Sequence, residues 1–123
     1  MPTDSQHRKK AEVNRAFLAT IARDDYPEWA VVAAFYTAVH LVERLRARDG
    51  GHSEDHRDRL DYVQRNHDGI HTAYQQLLRA SMLARYDSRG DFFDKFQPED
   101  VADVIVGRYL AAVEAYVAAR LDA

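Results

Sequence analysis

The chain has no cysteine. That excludes disulfides, thiolate zinc sites and a cysteine nucleophile, and makes the reducing cytoplasm the natural expectation for its compartment. No apolar run is long enough for a bilayer. The longest, Trp29 to Val42, covers about 14 residues and stops at Glu43, where a spanning helix needs roughly 20, so no membrane association is expected. The opening MPTDSQHRKK has no apolar core behind its charges and does not read as a secretory signal. There is no glycine-rich phosphate loop, no nucleophile elbow around Ser53, Ser81 or Ser88, and no internal repeat or low-complexity segment. A strong charge of one sign is missing too: the net charge of -3 gives no general pull toward nucleic acid. Lysine is confined to Lys9, Lys10 and Lys95. The remaining cations are arginines, which suit planar, bidentate contacts to phosphate or carboxylate, although genome composition accounts for the same bias.

What is present is helical periodicity. A chain of 123 residues, 46% hydrophobic, is long enough for one core, so one domain over residues 1–123 is expected. The pattern predicts an all-α, up-and-down bundle of about five helices and no strands. Helix one runs from about Asp4 to Arg23, opened by a Thr3/Gln6 capping box, with Val13, Phe17 and Ile21 as its apolar stripe. Helix two starts at Pro27 and ends in Arg44, Arg46 and Arg48 before the Gly50-Gly51 stop. Ser53 is the expected N-cap of helix three, which continues to about Asn66. Asp68 is the expected cap of helix four, with Ile70, Tyr74, Leu77, Leu78 and Ser81 facing inward. Asp87 to Gln97 reads as a loop whose Phe92, Phe93 and Phe96 fold over the core, and helix five starts at Pro98. Phe35, Leu41, Leu77, Tyr109 and Val113 are the expected core.

The residues able to carry chemistry are histidines, arginines and one tyrosine. Tyr36 and His40 stand four apart on helix two and share a face, as a polar pair at a pocket floor or as a satisfied core histidine. His52 and His56 have the spacing of two metal ligands, as do His67 and His71, but no third ligand is designated, so neither a metal site nor a cofactor is expected. The carboxylate pairs Glu54/Asp55 and Glu99/Asp100 are helix N-terminal charges. In Arg65-Asn66-His67-Asp68-Gly69-Ile70-His71, five residues separate Arg65 from His71 at a helix–helix junction. Histidine can move the 2'-hydroxyl proton of RNA near neutral pH, and arginine can hold the phosphate.

From Tyr26 to Val117 the chain resembles the HEPN domain superfamily, all-helical domains of prokaryotic toxin–antitoxin and defence systems. The resemblance rests on FYTAVHLVERL in helix two, GGHSEDHRDR after it, LLRASMLARYD in helix four and FQPEDV before helix five. HEPN ribonucleases use an arginine and a histidine four to six residues apart, often with a polar residue directly after the arginine. Arg65, Asn66 and His71 match that pattern. Arg46 and His52 match the spacing as well, without the polar residue. The resemblance implies a metal-independent endoribonuclease of the kind that serves as toxin in toxin–antitoxin or defence systems, in which His71 is the acid or base, Arg65 binds phosphate and Asn66 orients the pair. Arg46, His52, His56 and Arg57 would add contacts to the RNA backbone. The alternative it implies is a non-catalytic module binding a nucleotide or a protein partner, such as an antitoxin or a nucleotidyltransferase, through the same polar seam. A homodimer is expected on two grounds. Paired HEPN motifs form one cleft, and helix two is apolar almost all round and needs covering.

Overall fold

The computed structural model describes residues 1–86 and 90–122, and every regular element among them is helical. Helix α1 spans Asp4–Thr20, α2 Pro27–Arg48, α3 His56–Asn66, α4 His71–Tyr86 and α5 Asp91–Lys95. A single 3₁₀ turn, Asp68–Ile70, leads into α4. The last helix, α6, covers residues 98–121 in three consecutive parts. An opening turn, Pro98–Asp100, is followed by a π-helical stretch, Val101–Leu110, and then by α geometry over Ala111–Leu121. The result is an all-α bundle with α2 at its centre, packed against α1, α4 and α6. No helix among the described residues is long and apolar enough to cross a membrane.

The helix boundaries follow local chemistry. The Thr3/Gln6 capping box opens α1 as expected, but the helix ends at Thr20, three residues early, because Ile21 turns extended. Pro27 starts α2, and Gly50 follows its C-cap with φ at 81°, a left-handed conformation that a side chain would oppose. Ser53 does not cap α3. Asp55 does, accepting from the Asp58 amide at 2.8 Å, while Ser53 is taken up by Glu43. Asp68 does not cap α4 directly; it begins the 3₁₀ turn. Part of the segment expected to be a loop is helical: Asp91–Lys95 forms α5 and buries Phe92, with Phe96 half-buried and Phe93 exposed. Asp87 and Ser88, in the same expected loop and its serine reading, lie outside the described residues.

Two core expectations change for physical reasons. Val13 and Phe17 are more than half exposed, and α1 instead buries His7, Ala11 and Leu18. The α1 face packed on α2 is the one carrying His7, Ala11 and Leu18, with His7 against His40. Phe35, Leu77 and Val113 are fully buried, whereas Tyr109 is only half-buried. An α-helix would place Tyr109 one turn after Ile105; the wider π turn delays the inward position by one residue and Leu110 takes it. Gly107 lets that turn close, because a Cβ there would lie 2.9 Å from the carbonyl oxygen of Ala102, five residues back. Leu41 is half-buried, lining a groove of about 720 Å³ between α1, α2 and α6. Most of the apolar surface of α2 is covered within one chain, by α1, α4 and α6, while Trp29 near its start stays exposed.

Candidate functional site

The turn between α3 and α4 holds the Arg65/His71 pair. Arg65 is exposed on the last turn of α3, and His71 is the half-buried first residue of α4. No hydrogen bond or ion pair among the described residues joins them. The Asn66 side chain donates to the Tyr62 carbonyl at 3.1 Å. Between them stands His67, which sequence reasoning passed over except as a metal-spacing partner of His71. Its ring meets Tyr62 edge-on and Tyr116 likewise. The Tyr62 hydroxyl is hydrogen-bonded to the Asp49 carboxylate, which can only accept, so its oxygen is left to accept from His67 Nε2 at 3.0 Å. His67 Nδ1 therefore accepts from the Tyr116 hydroxyl at 2.8 Å. Burial lowers the pKa of His67 and raises that of Tyr62. This Asp49–Tyr62–His67–Tyr116 chain links α2, α3, the turn and α6, and engages both nitrogens of the ring.

Of the residues expected to touch RNA, Arg46 holds the Gly50-Gly51 bend after α2. Arg46 donates to Ser53 Oγ at 3.2 Å, pairs with Asp58 at 3.3 Å and lies over the Tyr62 ring. Gly51 leaves room for it, since a Cβ there would come within 3.3 Å of its side chain. His52 and Arg57 are exposed, with no hydrogen bond or ion pair among the described residues. Glu43, buried on α2, accepts from the Ser53 amide and hydroxyl and from Arg59 at 3.4 Å. Among the described residues no three His, Asp or Glu side chains converge as a metal ion would require.

The densest polar constellation surrounds the buried ring of Phe35. His56, Tyr36 and Tyr74 pack around that ring with centroids 5.3–5.9 Å away, from α3, α2 and α4 in turn. The Arg85 guanidinium, from the last turn of α4, lies 5.8 Å from the same ring and 5.5 Å from that of Tyr36. Arg85 donates to the Tyr36 hydroxyl at 2.8 Å, and no carboxylate pairs with it among the described residues. Arg59 donates to His56 Nδ1 at 2.9 Å. A guanidinium can only donate, so His56 Nδ1 accepts and its proton sits on Nε2, which has no hydrogen-bond partner among the described residues. Burial, then the charges of Arg59 and Arg85, lower the pKa of His56 and keep the ring neutral. Arg59 Nε, the Tyr74 hydroxyl and Ser81 Oγ are buried without a hydrogen-bond partner among the described residues. Burial pushes the Tyr74 hydroxyl up to about 12. Of the two guanidiniums here, Arg59 meets the Glu43 carboxylate at 3.4 Å, and Arg85 meets no carboxylate among the described residues.

No family model, curated protein or solved structure matches the chain.

At the edge of this face, Tyr36 and His40 are both half-buried, but each has a different partner. His40 meets the buried His7 of α1, Nδ1 to Nδ1, at 3.1 Å. Burial first, and then the neighbouring His7, depress the pKa of His40 to about 4. Two neutral rings satisfy each other, one donating and one accepting. Both line a cavity of about 710 Å³ with Gln6, Lys9, Lys10 and Val13. Arg59 and Arg85 were not singled out from the sequence, and Tyr74 was read only as an inward-facing residue of helix four. A signal for them existed: Arg59 is three and four residues before the buried Tyr62 and Val63, and Arg85 is eleven after Tyr74, so helical phase puts each on the inward face.

Proposed function

We propose that the chain is a HEPN-like module that binds a phosphate-bearing ligand, nucleotide or RNA, on the α2–α3–α4 face around Phe35. The observation that carries this reading is Arg85: a guanidinium over aromatic rings, hydrogen-bonded to Tyr36 and close enough to His56 to lower its pKa, with no carboxylate partner among the described residues. A cation held in a partly dry setting without a counter-ion leaves room for an anion, and guanidinium matches phosphate in fork geometry. The test is binding of a nucleotide and of a short single-stranded RNA to the protein and to its Arg85→Gln variant. Loss of both in the variant supports the reading; unchanged binding of either in the variant defeats it.

A second reading, metal-independent endoribonuclease, is favoured by the free side chains of Arg65 and His71 on either side of one turn. In that mechanism His71 takes the proton of the 2'-hydroxyl and O2' attacks phosphorus. The 5'-oxygen of the next nucleotide leaves with a proton, and a 2',3'-cyclic phosphate remains, with Arg65 on the non-bridging oxygens. Asn66 donates one amide proton to the Tyr62 carbonyl, and that bond leaves its Oδ1 and second N–H to orient the pair. RNA cleavage that survives EDTA and disappears in His71→Ala supports this reading; cleavage unaffected by His71→Ala, or lost in EDTA and restored by Mg²⁺ or Mn²⁺, removes it.

A further inference from the structure

We infer that the cavity of about 710 Å³ between the first turns of α1 and His40 of α2 takes an aliphatic monocarboxylate, a free fatty acid of medium chain length, with its head at the His7–His40 pair and its tail along the outer stripe of α1. The site is separate from the Arg85 face. Its volume is in the range of cavities that hold small organic ligands. Its ionisable lining is of one kind: His7, His40, Lys9 and Lys10 are all bases, and no carboxylate lines it. The two carboxylates whose charge reaches His7, Glu43 and Asp4, are committed elsewhere, Glu43 to Ser53 and Arg59, Asp4 to Arg44.

The hydrogen-bonding groups are nearly all donors. The two Nδ1 atoms meet each other, so one ring donates and the other accepts. In either arrangement one Nε2 carries a proton and the other is bare. Neither Nε2 is among the buried atoms without a partner, so both reach solvent. Gln6 accepts from the Thr3 amide through Oε1, which leaves its NH2 group to donate. Burial depresses His40 to about 4, so the ring pair is neutral at pH 7 and the positive charge comes from the two exposed lysines. One fixed N–H and a mobile ammonium satisfy the two oxygens of a carboxylate. A phosphate dianion would set further oxygens against the bare nitrogen.

The rest of the wall is apolar. Pro2 and Val13 line the cavity, with the aliphatic stems of Lys9 and Lys10. Phe17 stands one turn beyond Val13 on the same face of α1. Val13 is 53% exposed and Phe17 55%, although their spacing is that of a core stripe. From His7 to Phe17 the helix rises about 15 Å, long enough to lay a medium alkyl chain along it. An inorganic anion would leave this stripe unused, and a neutral apolar molecule would leave the lysines and the ring N–H unused. An aliphatic acid uses both.

The test is calorimetric titration of the full chain at pH 7 with hexanoate, octanoate, decanoate and decylamine, each below its micelle concentration. Affinity should rise about threefold per added methylene from hexanoate to decanoate, and decanoate should bind about tenfold more tightly than decylamine. Phe17→Ser, at an exposed position, should shrink the gain from octanoate to decanoate and leave hexanoate unchanged. Lys9→Gln with Lys10→Gln, also exposed, should erase the preference for decanoate over decylamine. His40→Leu, which removes the ring donor, should weaken all three acids alike. Equal binding of decanoate and decylamine, a chain-length gain that survives Phe17→Ser, or no binding of decanoate to the unaltered protein overturns the inference. Arg85→Gln should leave decanoate binding as it is, which keeps this outcome apart from that of the phosphate-binding reading.

Discussion

Two arginines, Arg44 on α2 and Arg85 on α4, lie in opposite electrical circumstances within the same bundle. Arg44 is buried and fully matched. Its Nε meets Asp4 at 2.7 Å, and its two terminal nitrogens meet both oxygens of Asp122 at 3.0 and 2.8 Å. That contact fastens the start of α1 and the end of α6 to the central helix, and the hydrogen bond from Arg44 holds the Asp122 carboxyl below its ordinary value. Arg85 has aromatic rings and a tyrosine hydroxyl but no carboxylate among the described residues. A matched cation has its partners from within the fold and closes a seam. A guanidinium with no carboxylate among the described residues is the one on which the proposed anion site rests.

The largest way to break the unmatched side is to remove its base plate. Phe35→Ala should cost about 3–5 kcal/mol in a denaturant titration, since the ring is fully enclosed and four polar residues rest on it; a midpoint near that of the unaltered protein contradicts its place in the core. Breaking the matched side comes next. Arg44→Ala should cost about 2 kcal/mol, below the roughly 3–5 of a fully buried pair because Asp4 and Asp122 remain partly exposed. By contrast, Arg85→Gln should change stability by less than about 1 kcal/mol, since only cation–π contacts and hydrogen bonds are lost. A comparable loss in the two arginine variants would erase the distinction between latch and site.

Gly107→Ala probes how α6 reaches Arg44. In an ordinary helix this exchange gains about 1 kcal/mol. Here the new methyl would meet the Ala102 carbonyl at 2.9 Å, so a loss of about 1 kcal/mol is expected, read as a lower melting temperature. A stabilised variant would show that the π stretch relaxes to α geometry without cost.

Acid should separate the two regions in sequence. The unfolded chain protonates His40 near 6.5, whereas the folded one resists until about 4. The unfolded state then binds more protons, and stability falls as pH drops through that window. Asp122 works lower: its contribution is present above 3.8 and is lost as pH falls through its depressed value. His40→Gln should therefore flatten the decline between pH 6.5 and 4 while leaving the one below 3.8; a slope unchanged by this variant would mean that the His7–His40 pair is not its source.

Much of this was legible along the chain. Helix α2 was readable end to end because Pro27 and Gly50 punctuate a long apolar period, and the Thr3/Gln6 box is a contact three residues apart. The Ser53 cap was misplaced because two candidate caps, Ser53 and Asp55, stand two residues apart and the choice lay with Glu43, ten residues away. Of the site, Tyr36, His40 and His56 were visible as polar residues on or beside an apolar helix. Their partners His7, Arg59 and Arg85 were not, because each pairing spans helices or depends on which face a short helix buries.

What the sequence determined by itself is what depends on contacts within a turn or two: helical content, the capping box, the stop after α2 and the absence of cysteine chemistry. Only the tertiary structure decided the rest. It packed α1 on α2 through His7, Ala11 and Leu18, which leaves Val13 and Phe17 outward, and it replaced Tyr109 by Leu110 through the wide π geometry. It gave Arg44 two carboxylates from opposite ends of the chain and Arg85 none among the described residues. Charge balance inside a protein is set by which side chains the fold brings within a few ångströms, and a count of arginines and aspartates along the chain carries no information about those distances.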